Sequence, residues 1–462
     1  MDIGARGSGD YDRRFMRQPL ASHDPRAIWS IALPAMATNV ATALLGIADI
    51  WIIGQLGDAS AQGAVELGAR LLMGLLVVFN FLKTATTGLT AQAAGQHNEA
   101  EKMAALLRAS VIALAIGLVL LATKPLTVPL GLDLLAARDD VRADAALYID
   151  IRFWAAPAWL LNAALVGWLI GLRRVRTVLV VEVAVNVTNI GLGILFVLIW
   201  DMGVAGLAYA TLISEMGKFV LLVFAIFPSA KFSALAAAAK GPDLWNTGRM
   251  GALFRVNRDL FLRTLLLTIA IMLVTRQGAI QGTDILAANA ILFQMFMLTA
   301  LLLDGFENAA QVLCGETIGA KDREGFDKTV QRILLRGIAT ALVLTAIFAI
   351  ASGPIVASFS TDPAVVETVL RYDVWLLALP LAGVASFVMD GVFVGATWTR
   401  AMLGTMAAAF LAYGAMLWLT GPLGNHGLWL SFTVFLLIRA VGQFAMTPRL
   451  AARTFAPITA EK

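Results

Sequence analysis

The apolar stretch from Pro34 to Gly57 contains a single carboxylate, Asp49. A charged side chain at membrane depth costs about 2.5–3.5 kcal/mol on insertion scales, so such a group faces a cavity or a partner. Its chemistry there is to take up and release a proton, or to help hold a cation. Gly46 and Thr42 precede it by one and two turns on roughly the same face, and both are small enough to line a cavity. Pro34, early in the same helix, removes a backbone hydrogen bond and permits a hinge. The plainer alternative is a structural carboxylate bonded to a neighbouring helix.

A second polar stripe lies in VEVAVNVTNIGLGILF. Glu182, Asn186, Asn189 and Gly193 follow at spacings of four, three and four, which puts them on one helical face. Two amides and a carboxylate suit ion coordination, and they equally suit packing between helices. In the second half, Asp304 and Glu307 are one turn apart in LLLDGFENAA, and Asp390 sits in FVMDGVF. Each could line a cavity there, as could Met295 in the methionine-rich FQMFML, for which core or lipid contact is the alternative. Asp259 and Arg263 are spaced to pair, as are Glu215 with Lys218 and Glu66 with Arg70.

The elements that must position these groups follow from composition. Of 462 residues, 59% are hydrophobic and only 14% charged, well below the quarter usual in soluble chains. The apolar runs are long and do not alternate, which excludes a barrel and leaves an all-α polytopic membrane protein. Twelve spans are expected near 28–53, 64–89, 104–123, 149–170, 178–199, 204–227, 253–277, 284–313, 333–352, 371–395, 401–419 and 427–446.

Lys and Arg set the orientation. The N-terminal segment and alternate loops hold Arg13, Arg14, Arg17, Lys102, Arg173, Arg174, Arg176, Lys231, Lys240, Lys321, Arg323, Arg400 and Arg449, while the other side has little beyond Lys124, Arg138 and Arg142. By the positive-inside rule both termini are cytoplasmic, in an inner (plasma) membrane.

The chain also repeats. At a shift of 224 residues Gly54 meets Gly278, Gly95 meets Gly319, Gly167 meets Gly391, Gly171 meets Gly395, Arg108 meets Arg332 and Arg176 meets Arg400. Copies separated by six spans start on the same side, so these are parallel repeats. The expected organisation is a disordered tail over 1–27, a six-helix lobe over 28–227, a cytoplasmic linker over 228–252, a second lobe over 253–446 and a tail over 447–462.

Several functions are excluded. There is no G-x-x-x-x-G-K-[ST] and so no ATP-driven pump, and nothing calls for nucleic acid. His23, His97 and His426 fall in a tail and two loops and make no metal cluster. Cys314, alone of its kind, cannot form an intrachain disulfide. No cleavable leader precedes the first span.

ALPAMATN…LLGIADIWIIGQLG, the loop after the second span, and DGVFVGATWTR resemble the multidrug and toxin extrusion (MATE) family. NRDLFLRTLLL and LDGFENAAQVLCGETIGA look like its DNA-damage-inducible protein F branch, and the likeness covers about 28–446. It implies a twelve-helix, two-lobe antiporter that exports organic, often cationic, compounds in exchange for H⁺ or Na⁺. The helix-one aspartate of that branch matches Asp49, the bending proline Pro34, the helix-five asparagine Asn189 and the helix-six threonine Thr211. The helix-five aspartate falls on Gly193, a departure that removes a two-carboxylate Na⁺ cage. Proton coupling through Asp49, beside Asn186, Asn189 and Thr211, is therefore expected over Na⁺, with no other cofactor and as a monomer. The runner-up is a flippase for a lipid-linked precursor, for which Arg152, Arg263, Arg276 and Arg439 are too dispersed in sequence to show a phosphate site. A membrane enzyme lacks a catalytic constellation beyond Asp304 and Glu307.

Overall fold

The computed structural model describes residues 21–135, 139–227, 247–360 and 362–456, with isolated positions 236 and 239. Most of the expected linker, residues 1–20 of the expected tail and residues 457–462 lie outside the described residues. Among the described residues every regular element is helical. In lipid, an unbroken apolar run satisfies its own backbone only as a helix. The helices are α1 (Pro25–Gly54), α2 (Ala59–Val77), α3 (Phe81–Gly95), α4 (Glu99–Leu134), α5 (Asp139–Phe153), α6 (Ala156–Gly171), α7 (Val175–Gly193) and α8 (Gly203–Ile226). The second half holds α9 (Thr247–Ile280), α10 (Thr283–Gly319), α11 (Arg323–Phe359), α12 (Pro363–Arg371), α13 (Asp373–Gly395), α14 (Thr399–Leu419) and α15 (Gly424–Thr454).

Ten helical stretches are long and apolar enough to cross a bilayer, with α2 and α3 forming one of them, and the α5–α6 pair, bent by 52°, makes an eleventh. The 34-residue α9 completes twelve spans. They form two six-helix lobes related by a parallel repeat. Several helices run past the apolar windows expected for them. The 284–313 span continues to Gly319, and the 333–352 span starts at Arg323. Capping explains this: Asp322 accepts from the Gly325 N–H at 2.8 Å, so polar turns outside the apolar run stay helical. His426 is likewise not in a loop but in α15, where its Nδ1 accepts from Trp375 Nε1 at 3.2 Å.

The repeat is visible as matched close approaches. A Cβ on Gly95 would come within 2.0 Å of the Glu316 carbonyl, and one on Gly319 within 2.0 Å of the Gln92 carbonyl. Gly167 lies against Lys83 O (2.4 Å) as Gly391 lies against Glu307 O (2.2 Å). A Cβ on Gly171 would meet Thr87 O at 2.8 Å as one on Gly395 would meet Gln311 O at 2.4 Å. In each pair the glycine and its partner move together by the same 224 residues. The turns follow suit: His97 and Lys321 have φ of 53° and 55°, Arg173 and Thr397 of 59° and 56°.

Ser22 donates to Glu316 at 3.3 Å, and the Phe455 ring lies 5.6 Å from Phe326, so both described chain ends sit at the α10–α11 turn. This is the basic end of the molecule. The halves are joined there by Arg173 on Glu316, Arg332 on His23 O (2.8 Å), Gln92 on Gly395 O (2.7 Å) and Gln311 on Thr84 O (2.5 Å). The bond furthest from it is Asn39 Nδ2 to Leu301 O at 3.0 Å, 14 residues or about 21 Å along α1. Beyond that level no hydrogen bond joins the halves among the described residues.

Candidate ion-coupling and substrate sites

Pro34 is buried within α1, and its carbonyl accepts from Thr38 Oγ1 at 2.8 Å, which satisfies that carbonyl above the proline. Past this point the middle of α1 turns outward, with Val40, Leu44 and Ile47 exposed, before Ile52 and Ile53 return to the core. Asp49 lies on this stretch and is not fully buried as expected but half-buried. Its Oδ1 is buried and has no hydrogen-bond partner. The cation whose field acts on it is Arg152 of α5, which donates to Tyr148 Oη at 2.6 Å and lies 5.2 Å from that ring. Gly46 faces open space, and Thr42 donates to Thr38 O at 3.0 Å and to Glu182 Oε1 at 3.4 Å.

The polar stripe of α7 is buried as one face, and its members take different partners. Asn189 Nδ2 donates to Thr211 Oγ1 at 3.4 Å, which joins two of the expected residues, while Asn189 Oδ1 is a second buried acceptor without a donor. Asn186 is spent on packing, donating to Ala41 O at 2.9 Å. Glu182 pairs with Lys218 of α8 at 2.7 Å, both largely buried. The expected Glu215–Lys218 pair is not a direct contact: Lys218 bonds Glu182 and Glu215 accepts from Asn162 Nδ2 at 3.0 Å, while the Glu215 charge still acts on Lys218. Thr211, Arg152 and Glu215 line a cavity of about 20 Å³, room for one water. At the position of the missing helix-five aspartate, a Cβ on Gly193 would meet Ile52 Cδ1 at 3.0 Å, so the space a carboxylate would take is held by Ile52.

A cavity of about 440 Å³, mostly within the second lobe and closed on one side by α3 of the first, is lined by Lys83, Arg263, Asp304, Glu307 and Arg439 with Phe296, Met297 and Phe387. Asp390 lies behind its wall, fully buried, and accepts from Arg263, from Arg439 and from Gln443 Nε2 at 2.6 Å. The expected Asp259–Arg263 pair is corrected: Asp259 accepts from the adjacent Arg258 at 2.8 Å and from Thr399 at 3.4 Å, and Arg263 turns to Asp390 instead. Met295 is completely buried in the core, one position off the face that reaches the cavity. Asp304 and Glu307 do line it, as the sequence suggests. The role of Lys218 had no signal in spacing, since it reaches Glu182 on another helix. Among the described residues no group of His, Cys, Asp and Glu could hold a metal ion.

Two pseudo-symmetric lobes around a cleft, each with buried charge at membrane depth, define a polytopic membrane transporter rather than an enzyme. The MatE family model matches residues 34–195 and 260–418, and the chain belongs to that family. It is 32% identical over 430 residues, 93% of each chain, to DNA damage-inducible protein F of Escherichia coli (strain K12). To the probable multidrug resistance protein NorM of Acinetobacter baylyi it is 24% identical, covering 90% of this chain and 94% of that one. Among solved structures it is similar to a MATE in the bent conformation, with a TM-score of 0.83 and 18% identity over 96% of this chain and all of that one. It is also similar to an outward-facing multidrug resistance MATE transporter, with a TM-score of 0.79 and 19% identity over 95% and 99%.

Proposed function

We propose that this transporter exports organic, often cationic, compounds in exchange for protons by alternating access, with Asp49 as the coupling carboxylate. The lobes would span 28–227 and 253–446 about a cytoplasmic linker, with the basic end in the cytoplasm of an inner membrane. The observation behind the coupling is the buried Asp49 Oδ1, an acceptor without a donor. A proton on that carboxyl removes the charge that the unpartnered oxygen would otherwise carry into the protein. That changes the relative free energy of the two lobe arrangements, which is what coupling requires. Asn189 and Thr211 would steady the same region, and Pro34 would serve as the hinge of α1. With Gly193 and Ile52 where a second carboxylate would stand, Na⁺ is the weaker candidate.

Substrate would occupy the cleft and the 440 Å³ cavity, whose acidic Asp304 and Glu307 and aromatic wall favour a cation with an apolar body. A lipid-linked phosphate is the weaker reading there, because Asp304, Glu307 and Asp390 together offset Lys83, Arg263 and Arg439. The test is dye efflux from proteoliposomes under a pH gradient or a Na⁺ gradient, for wild type and Asp49→Asn. Efflux driven by the pH gradient and abolished in Asp49→Asn is expected. Full proton-driven activity in that variant would sink the assignment, and efflux driven by Na⁺ alone would reassign the ion.

A further inference from the structure

The pseudo-two-fold relationship is broken at one place on the basic end. Where the first copy of the interface buries apolar side chains, the second holds a basic cavity of about 550 Å³ between α3 and α4 of one lobe and α9, α14 and α15 of the other. In the first copy, α1 enters with Ile31 and Ala35, both buried, against the opposite lobe. At the 224-residue shift, α9 presents Arg255 for Ile31, Arg258 for Pro34 and Asp259 for Ala35, all lining the cavity. In the first copy, Arg332 is covered by the chain ahead of α1, donating to His23 O at 2.8 Å. Its counterpart Arg108 lines the cavity, as does Arg400, the counterpart of Arg176.

The charges in this cavity do not balance. Arg108 is held by Glu101 at 2.5 Å and Arg258 by Asp259 at 2.8 Å. Arg255 and Arg400, both exposed, show no ion pair among the described residues. The remaining wall is apolar, including Leu89, Val256 and Leu450, and Phe254 beside Arg255 is more than half exposed. Two unmatched guanidiniums over an apolar floor, between transmembrane helices, match a phosphate diester that carries acyl chains. A guanidinium meets phosphate oxygens in bidentate fashion, and basic pockets between helices on the positively charged side are where anionic headgroups settle. We propose that this cavity is a binding site for an anionic phospholipid, with Arg255 and Arg400 on the phosphate. If the orientation proposed above holds, the lipid comes from the cytoplasmic leaflet; binding itself does not depend on orientation.

The test uses the full chain in detergent, titrated separately with dioctanoyl phosphatidylglycerol, dioctanoyl phosphatidylcholine and sn-glycerol-3-phosphate, with thermal unfolding as the readout. A saturable rise in midpoint with phosphatidylglycerol alone is expected. In Arg255→Ala/Arg400→Ala the apparent Kd should weaken about tenfold or more, and it should hold in Arg453→Ala, a basic-end control outside the cavity. An equal response to glycerol phosphate would replace the lipid with a soluble anion and overturn the proposal. So would an equal response to phosphatidylcholine, an unchanged Kd in the double variant, or an equal loss in the control. Should the double variant not fold, native mass spectrometry of the wild type decides: preferential retention of phosphatidylglycerol over phosphatidylcholine is expected, and equal retention overturns the site.

Discussion

Arg173 of the first lobe and Glu316 of the second form an ion pair across the basic end, with Nε donating to Oε1 at 2.7 Å and to Oε2 at 2.9 Å. Ser22 closes the same cluster from the chain ahead of α1. At the pseudo-symmetric position the charge is absent: Gln92 Nε2 reaches Thr397 Oγ1 at 3.4 Å. One side of the closure is therefore ionic and the other neutral. Charge-assisted bonds contribute about 1.5–3 kcal/mol, so Glu316→Gln should shift the closed–open equilibrium about tenfold or more toward opening at the basic end. Cys314, completely buried two residues earlier and alone of its kind, is the reporter. Its alkylation by a membrane-permeant maleimide should accelerate in the variant, and an unchanged rate would show that this pair does not hold the closure.

The Glu182–Lys218 pair predicts an asymmetry in stability. Lys218→Ala strands a largely buried carboxylate and should destabilise by about 3–5 kcal/mol, whereas Glu182→Gln with Lys218→Met removes both charges and should cost far less. Thermal unfolding in detergent compares the two. Equal losses would mean that the pair is screened by water.

Asp390 predicts a similar contrast in the second lobe. It is the carboxylate that both buried arginines share, so Asp390→Ala should unfold or misassemble that lobe, while Asp390→Asn keeps the bond from Gln443 and loses only the charge. Expression level and a monodisperse elution profile are the measurements. A well-folded Asp390→Ala would show that Arg263 and Arg439 find other partners in the 440 Å³ cavity.

The glycines of the crossing predict a matched pair of defects. Gly95→Ala and Gly319→Ala would each drive a Cβ into a backbone carbonyl at 2.0 Å, and backbone cannot swing aside as a side-chain end can. Both should loosen the closure, as faster Cys314 alkylation. Gly46→Ala, which meets only open space, should stay within about 0.5 kcal/mol of wild type. A defect in only one of the first two would mean that the crossing is less symmetric than its geometry.

Much of this was legible in the chain, for an identifiable reason. Glycine close approach is a property of the backbone, so the pairs Gly95/Gly319, Gly167/Gly391 and Gly171/Gly395 keep their spacing whatever surrounds them. The polar face of α7 was legible because Glu182, Asn186 and Asn189 follow helical periodicity. Partner choice was not. Arg263 is spaced to meet Asp259, and Lys218 to meet Glu215, yet both long side chains reach to other helices. That outcome depends on the rotation of neighbouring helices, which no local spacing encodes. The same applies to Met295, where a small turn of α10 separates a core position from one on the cavity.

The α3–α10 crossing has a further consequence. Gly95 sits on the carbonyl of Glu316 as Gly319 sits on that of Gln92, so the same patch is used by both partners. That is the rule of an isologous dimer contact. The architecture is thus a covalent dimer whose protomer is six helices. The joining segment fixes the stoichiometry at one of each, and it frees the two copies to diverge: one has Asp49 and the other a buried arginine pair, while of the two interfaces between them one closes on an ion pair and the other holds a basic pocket.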